Sequence, residues 1–357
     1  MMKKLLFLAL ISLFVIAACG KKAEDPAAND AKAEAAADAK ADEAKADDAK
    51  ADEADPFAGM DKKKYDEAVK DMTKEERNAF ELKALKHADP QVRKLPMTGM
   101  TFNLDPKFNS QEKIAALLNE VQNETDLEVL EIALRSNMNN LTVSNDFFEA
   151  YKKAATHEDA KIRKAAMNGL INSNNKAVEG IEEVAVKYLD DADAEIRVAA
   201  CKDLAHNKYA SAMPKIEEIL KSSDDAKLLE GCIKGVMDQW YYSPFFKEFD
   251  AKAYQLTLDY LKKTPRSKDL PGWSVVSTLT KAPKDEWKEL AKEFNAKDIV
   301  AVLSDIAKDE NADTMARENA IEAIGIHGAK ADLTKLDKAI ADEKLKGKIA
   351  KAMETAK

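Results

Sequence analysis

Three cysteines and four histidines are the residues of this chain best suited to nucleophilic or metal chemistry: Cys19, Cys201 and Cys232, with His87, His157, His206 and His327. A thiolate can attack, ligate or pair with a second cysteine. An imidazole can bind a metal or carry a proton near neutral pH. A metal site needs several such ligands converging in space, and these seven are scattered without ligand spacing. The chain has no GxSxG, P-loop, HExxH, CxxC or dinucleotide fingerprint. Its eleven glycines are too few for Gly-rich phosphate loops. Gly325 and Gly328, in GIHGAK, read as the stop of a helix instead. No catalytic residue, metal, cofactor or small-molecule substrate is therefore expected.

Cys19 stands apart because of what precedes it. Lys3 and Lys4 form a basic start, Leu5 to Ile16 an apolar stretch, and Ile16-Ala17-Ala18-Cys19 a small-residue end. The apolar stretch is too short to span a bilayer core of ~30 Å as a helix, and the layout is that of an export signal. The Ile-Ala-Ala-Cys end resembles the lipobox of bacterial lipoproteins. The resemblance implies cleavage before Cys19, a diacylglyceryl group on its thiol and an acylated amine. One acyl chain anchors only marginally, whereas two or three hold a protein on a membrane. Gly20 stands where this family places Asp for inner-membrane retention, so the resemblance implies the outer membrane in a two-membrane envelope.

Residues 19–56 after the 1–18 signal are low complexity, with pentads AKADE, AKADD and AKADE in tandem. From Lys21 to Pro56 six lysines face twelve acids, a net charge of −6 out of the chain's −9. Without aromatics and almost without large apolar residues, the segment cannot bury a core and reads as a disordered tether.

Residues 57–357 carry a repeat. In HADPQVRKL, HEDAKIRKAAMNGL, LDDADAEIRVAACKDLA and NADTMARENAIEAIG, an Asp precedes an Arg by four residues. The pairs are Asp89 and Arg93, Asp159 and Arg163, Asp193 and Arg197, Asp313 and Arg317. Weaker copies at Asp126 and Asp225 have Leu in place of Arg. Successive spacings are 37, 33, 34, 32 and 88 residues, the last halved at Asp269. Each Asp sits where a helix N-cap is wanted, Pro90 follows at a tolerated first position, and apolar residues then recur at helical spacing. Strand signals are absent. The pattern resembles the HEAT repeat, in which two antiparallel helices form one unit. The expectation is an all-α superhelical solenoid of about seven helical-hairpin repeats, degenerate over about 240–300, with a long groove.

The repeat register locates the remaining candidates. His87 and His157 share the position held by Asp191, so both read as solvated loop residues. Aligning Ile196 with Leu228 puts Cys201 and Cys232 on facing second helices of adjacent repeats. Buried free thiols replacing alanines are the first reading, and a disulfide in an oxidising compartment the second. The run WYYSPFFKEF holds Trp240, Tyr241, Tyr242, Phe245, Phe246 and Phe249 at the junction with the irregular stretch. It reads first as a structural plug and alternatively as a partner-binding patch. The acidic charge of the folded part argues against nucleic acid, and nothing beyond the repeats supports the HEAT-like lyases that attach bilins. The expected function is a lipid-anchored scaffold holding an unknown protein or peptide partner in the envelope. The alternatives are a self-associating spacer or an enzyme with an unrecognised site.

Overall fold

The computed structural model describes residues 55–98, 109–138, 144–172, 174–242, 249–263, 274–281 and 296–356. The compact unit runs from Asp55 to Lys357. Among the described residues there are seventeen α-helices and no strands. Cys19, Phe245, Phe246 and Asp269, and the side chain of Tyr242, lie outside the described residues.

After α1 (Lys62–Val69) the helices come in pairs. The first helices are α2 (Lys74–Leu85), α4 (Gln111–Asn123), α6 (Asn145–Ala154), α8 (Ile181–Ala185), α10 (Met213–Ser222), α12 (Ala251–Lys263), α14 (Ala296–Lys308) and α16 (Lys330–Ala339). The second helices are α3 (Pro90–Arg93), α5 (Leu127–Asn137), α7 (Ala160–Leu170), α9 (Ala194–His206), α11 (Ala226–Met237), α13 (Ser274–Thr278), α15 (Thr314–His327) and α17 (Glu343–Thr355). Second helices pack on one another in order, forming one continuous layer from α3 to α17. The pairs number eight among the described residues. The last hides from the Asp–Arg pattern because Lys346 stands in the Arg position after Asp342.

One aspartate starts nearly every second helix. Asp89, Asp126, Asp159, Asp193, Asp225, Asp313 and Asp342 each accept a backbone N–H from the first turn. That cap satisfies a donor the helix cannot. The residues ahead of α13, 264–273, lie outside the described residues, and the first helix of that pair, α12, is itself capped by Asp250, whose Oδ1 accepts the Ala253 N–H at 2.9 Å. Two helices are shorter than their apolar period suggests. Pro96 has no N–H and clashes with the preceding turn, so α3 ends at Arg93 and the chain tightens into a 3₁₀ turn over Leu95–Met97. α8 starts behind Gly180, at φ 78°, and continues as a 3₁₀ turn over Val186–Asp190.

The main core is an apolar cluster running from Leu85 to Ala356 between the layers, and two small clusters, Phe57 with Ala84 and Val92 and Tyr65 with Val69 and Leu95, stand apart from it around α1 to α3. α9 and α11 approach most closely. A Cβ on Gly235 would stand 2.1 Å from the Lys202 carbonyl oxygen, and one on Gly231 would stand 2.8 Å from that of Val198. Gly325, read from the sequence as part of a helix stop, lies inside α15 against Ala352 of α17. Gly328 does end α15, in extended rather than left-handed backbone, its N–H donating to Ile324 O at 2.8 Å.

Candidate functional site

His87, His157 and the repeat aspartates belong to the turn that opens a second helix. The residue two before the capping aspartate accepts that aspartate's own N–H. His87 Nδ1 does so at 3.0 Å, Glu124 Oε1 at 2.8 Å, His157 Nδ1 at 3.0 Å, Asp191 Oδ1 at 2.8 Å and Ser223 Oγ at 3.1 Å. His87 and His157 are thus acceptors in a hydrogen-bonded turn rather than merely solvated loop residues.

The arginine four residues after the cap closes the same turn and reaches the next one. Arg163 Nη1 donates to the carbonyls of His157 and Glu158, both at 2.9 Å. Its Nε and Nη2 donate to the two carboxylate oxygens of Asp191, at 2.9 and 2.8 Å, in the following repeat. Arg93 repeats the arrangement on His87 O, Ala88 O and both oxygens of Glu124. Arg197 grips only its own carbonyls, Asp191 O and Ala192 O, because Ser223 offers no carboxylate. Arg317 Nε donates to Ala307 O at 3.0 Å. Arg–carboxylate forks of this kind are strong and planar. Here they couple repeats, and the asparatates and arginines singled out in the sequence are structural. A signal for the fork was present: a carboxylate stands at 124 and 191, one repeat after Arg93 and Arg163, and none stands at 157, one repeat after Leu130.

Two shallow clefts flank these forks. The larger, about 680 Å³, lies between α2 and α4 and is lined by Leu85, Ala115, Ala116, Glu112, Glu120 and Glu124 among others. The smaller, about 230 Å³, lies beside Asp191 and Tyr188. Glu120 and Glu124 separate sharply in acidity. Burial, then the adjacent Glu124 carboxylate, push the Glu120 carboxyl up to about 7, against the pull of Arg93. Burial alone would also raise Glu124, but the Arg93 fork and the Asp126 N–H outweigh it and hold it low. Sequence reasoning missed Glu120, because a glutamate inside a helical period carries no motif.

Among the described residues of the aromatic junction, Trp240 and Tyr241 are core. Trp240 is 1% exposed and Tyr241 3%. Trp240 Nε1–H donates to Thr257 Oγ1 at 2.8 Å and its ring meets Tyr254 edge-on. Tyr241 OH bonds the carbonyls of Leu279 and Lys281, and lies 3.2 Å from His327 Nε2. For these two side chains the first reading, a structural plug, holds over the alternative of partner contacts: they link α11, α12 and the α13 turn, while Phe249 packs partly buried against the same core. His327 is half-buried there. Burial lowers its pKa, opposed by the Leu279 carbonyl 3.0 Å away. His206 ion-pairs with Asp238 at 2.9 Å, and chiefly that bond raises its pKa.

Cys201 and Cys232 are joined in a disulfide with Cα atoms 4.8 Å apart and no exposed surface. The first reading, two buried thiols, gives way to the second. The glycines on α11 explain why: they bring the two helix backbones close enough for the bridge. No group of acids, histidines or cysteines capable of holding a metal occurs among the described residues.

No protein-family model and no curated protein sequence matches the chain. Among solved structures the chain is similar to an engineered protein at 14% identity, covering 83% of this chain and 99% of that one, with a TM-score of 0.32. It is similar to a designed armadillo repeat protein at 17% identity, covering 67% and 98%, TM-score 0.28. It also resembles an array of TOG domains from microtubule polymerases at 10% identity, covering 77% and 76%, TM-score 0.30. Likenesses this distant carry no argument about partners.

Proposed function

We propose that this chain is a non-catalytic interaction scaffold, anchored through lipid on Cys19 and presenting its repeat domain to a protein partner in a bacterial envelope. The observation that carries the reading is the outer face of the second-helix layer. Arg135, Asn168 and Lys202 occupy one equivalent position, nine residues after the cap, in three successive repeats. All three stand exposed. Neighbouring helices pack ~8–10 Å apart, so such positions form a regular row suited to an extended partner. Large apolar side chains are scarce on the described surface, Leu127 and Met315 being the exposed ones. Polar and charged contacts are thus the means of recognition.

The anchoring half of the proposal rests on the lipobox-like end at Cys19 and gains support from the bridge. A fully buried disulfide between repeats belongs to a chain folded in an oxidising compartment, which is where an exported lipoprotein folds. The outer membrane is the favoured destination in a two-membrane envelope, by the Gly20 argument. Site-specific photo-crosslinkers test the scaffold directly. Placed at Asn168 and Lys202, they are expected to capture the same partner protein in cells. Placed at Glu149 and Glu218, exposed on first helices, they are expected to capture little. Equal yields from both layers, or none, would contradict the reading. Adducts between copies of this chain would favour the self-associating spacer instead.

A further inference from the structure

The pairing of Cys201 with Cys232 raises a question of access. Thiol–disulfide exchange runs through a mixed disulfide: a thiolate attacks one sulfur, and its carrier stays attached until a second thiolate displaces it. Both cysteines are 0% exposed, so neither sulfur meets solvent. The space between their helices is closed by backbone, not only by movable side chains. A Cβ on Gly235 would stand 2.1 Å from Lys202 O, and one on Gly231 would stand 2.8 Å from Val198 O. An interface without room for a methyl group has none for a glutathionyl group or a peptide carrier on either sulfur.

The pair is also held shut beyond the bridge. Gln239 Nε2–H donates to Ala205 O at 2.6 Å, and His206 pairs with Asp238 at 2.9 Å. α9 packs on α7 as well, and α11 on α12 and α13. The two helices belong to the fourth and fifth of the eight pairs among the described residues, so they do not open by fraying from an end. Parting them means breaking these contacts together. Exchange in either direction therefore waits for that opening.

We propose that a disulfide donor closes the Cys201–Cys232 bridge before α9 and α11 pack, and that packing then seals it from thiols and disulfides in solution. In the first step one cysteine loses its proton to solvent, its thiolate bonds to a donor sulfur, and the donor's S–S bond breaks. The thiolate of the other cysteine then attacks the chain-side sulfur and expels the donor's sulfur. The chain gives up two hydrogens with two electrons, and the donor disulfide leaves reduced to thiols. The bridge is then a permanent staple and not a redox switch. The proposal does not depend on lipid anchoring or on a partner at the second-helix face.

Reduction kinetics test this on the full-length protein purified without reductant. N-ethylmaleimide first blocks any free thiol. Dithiothreitol is then added in native buffer or in concentrated urea, and newly alkylated Cys201 and Cys232 are counted by peptide mass spectrometry. Native reduction is expected to be slower by about a thousandfold or more, because it waits for a sub-global opening. His206→Ala removes one pin and should speed native reduction several-fold while leaving the rate in urea unchanged. Gly235→Ala should speed it further if its melt shows a folded protein, and Gly347→Ala, on α17, should not. The reduced chain is then offered oxidised glutathione or an oxidised CxxC protein, during refolding and again after circular dichroism shows that it has folded. The bridge should close readily only in the first case. Faster closure by the CxxC protein would make the donor a protein, and faster closure by glutathione a small molecule. Native reduction within about tenfold of the rate in urea, a native rate indifferent to His206→Ala and Gly235→Ala, or ready closure after folding would overturn the proposal.

Discussion

Arg163 and Arg197 look alike in the sequence, each four residues after a capping aspartate, yet they carry different loads. Arg163 is forked onto Asp191, whose side chain is 6% exposed, whereas Arg197 holds only backbone carbonyls. Arg163→Ala leaves a largely buried carboxylate without its partner and is expected to cost about 3 kcal/mol. Arg197→Ala loses neutral-acceptor bonds and is expected to cost about 1–2 kcal/mol. Denaturant melts of the two variants check the difference, and Asp191→Asn should remove most of the excess in a double-mutant cycle. Glu120 gives the second prediction at this scale. Its folded carboxyl titrates near 7 against an ordinary value of ~4.3. Between those values the folded state holds the extra proton, so this group's contribution is full below the lower value and falls as pH rises to about 7. Glu124 has the opposite sign, contributing above the ordinary carboxylate range and losing that as pH falls. Glu120→Gln is therefore expected to be more stable than the parent at pH 8, by on the order of 1–2 kcal/mol, and to flatten the decline between pH 5 and 7. Equal slopes for the two proteins would refute the assignment. The capping role of the aspartates was legible because a cap needs only residue type and position. The roles of His87, His157 and Glu120 were not, because they depend on which atom of which neighbour lies within reach.

At the scale of elements, α9 and α11 form the tightest pair, and glycine is the reason. A Cβ at Gly235 would lie 2.1 Å from Lys202 O and 2.8 Å from Ala205 Cβ. Gly235→Ala must push two helices apart and is expected to destabilise by about 1–3 kcal/mol or more. Gly347 on α17 has nothing within 4 Å of its absent Cβ. Gly347→Ala is expected to stabilise by about 0.5–1 kcal/mol through helix propensity. Thermal melts should move in opposite directions. The same close approach carries the disulfide, which closes a sequence separation of 31 residues. Chain entropy puts its contribution at about 3–4 kcal/mol, so Cys201→Ala with Cys232→Ala should lose that much in urea titration, or match the reduced parent. The sequence placed the two cysteines on facing helices but favoured free thiols. Alignment registers a helix face, not the interaxial distance that Gly231 and Gly235 set. The aromatic run was easier to read: its place at an irregular junction favoured a plug, and Trp240 and Tyr241 are buried there under α12 and the α13 turn.

For the whole molecule, period and capping made the solenoid readable from residue 57 onward, because each hairpin states its own start and buries its apolar face against the next. The eighth pair escaped because Lys346 replaces the arginine that marked the others, and because its spacing from Asp313 is short. The long interval before Asp313 was read as degenerate; it holds the pair α12 and α13, and Asp269, which halves it, lies outside the described residues. The helical repeats share one extended main core and leave second-helix positions exposed, and the proposed scaffold role depends on where the chain is held. Export and anchoring are therefore the central claim. The most direct test is the intact mass of the full-length gene product purified from membranes of its host without reductant. The account predicts loss of Met1–Ala18, addition of acyl groups at Cys19, and a mass two hydrogens lower for the Cys201–Cys232 bridge. A chain that retains Met1, bears no acyl group at Cys19 and keeps both thiols free would contradict it.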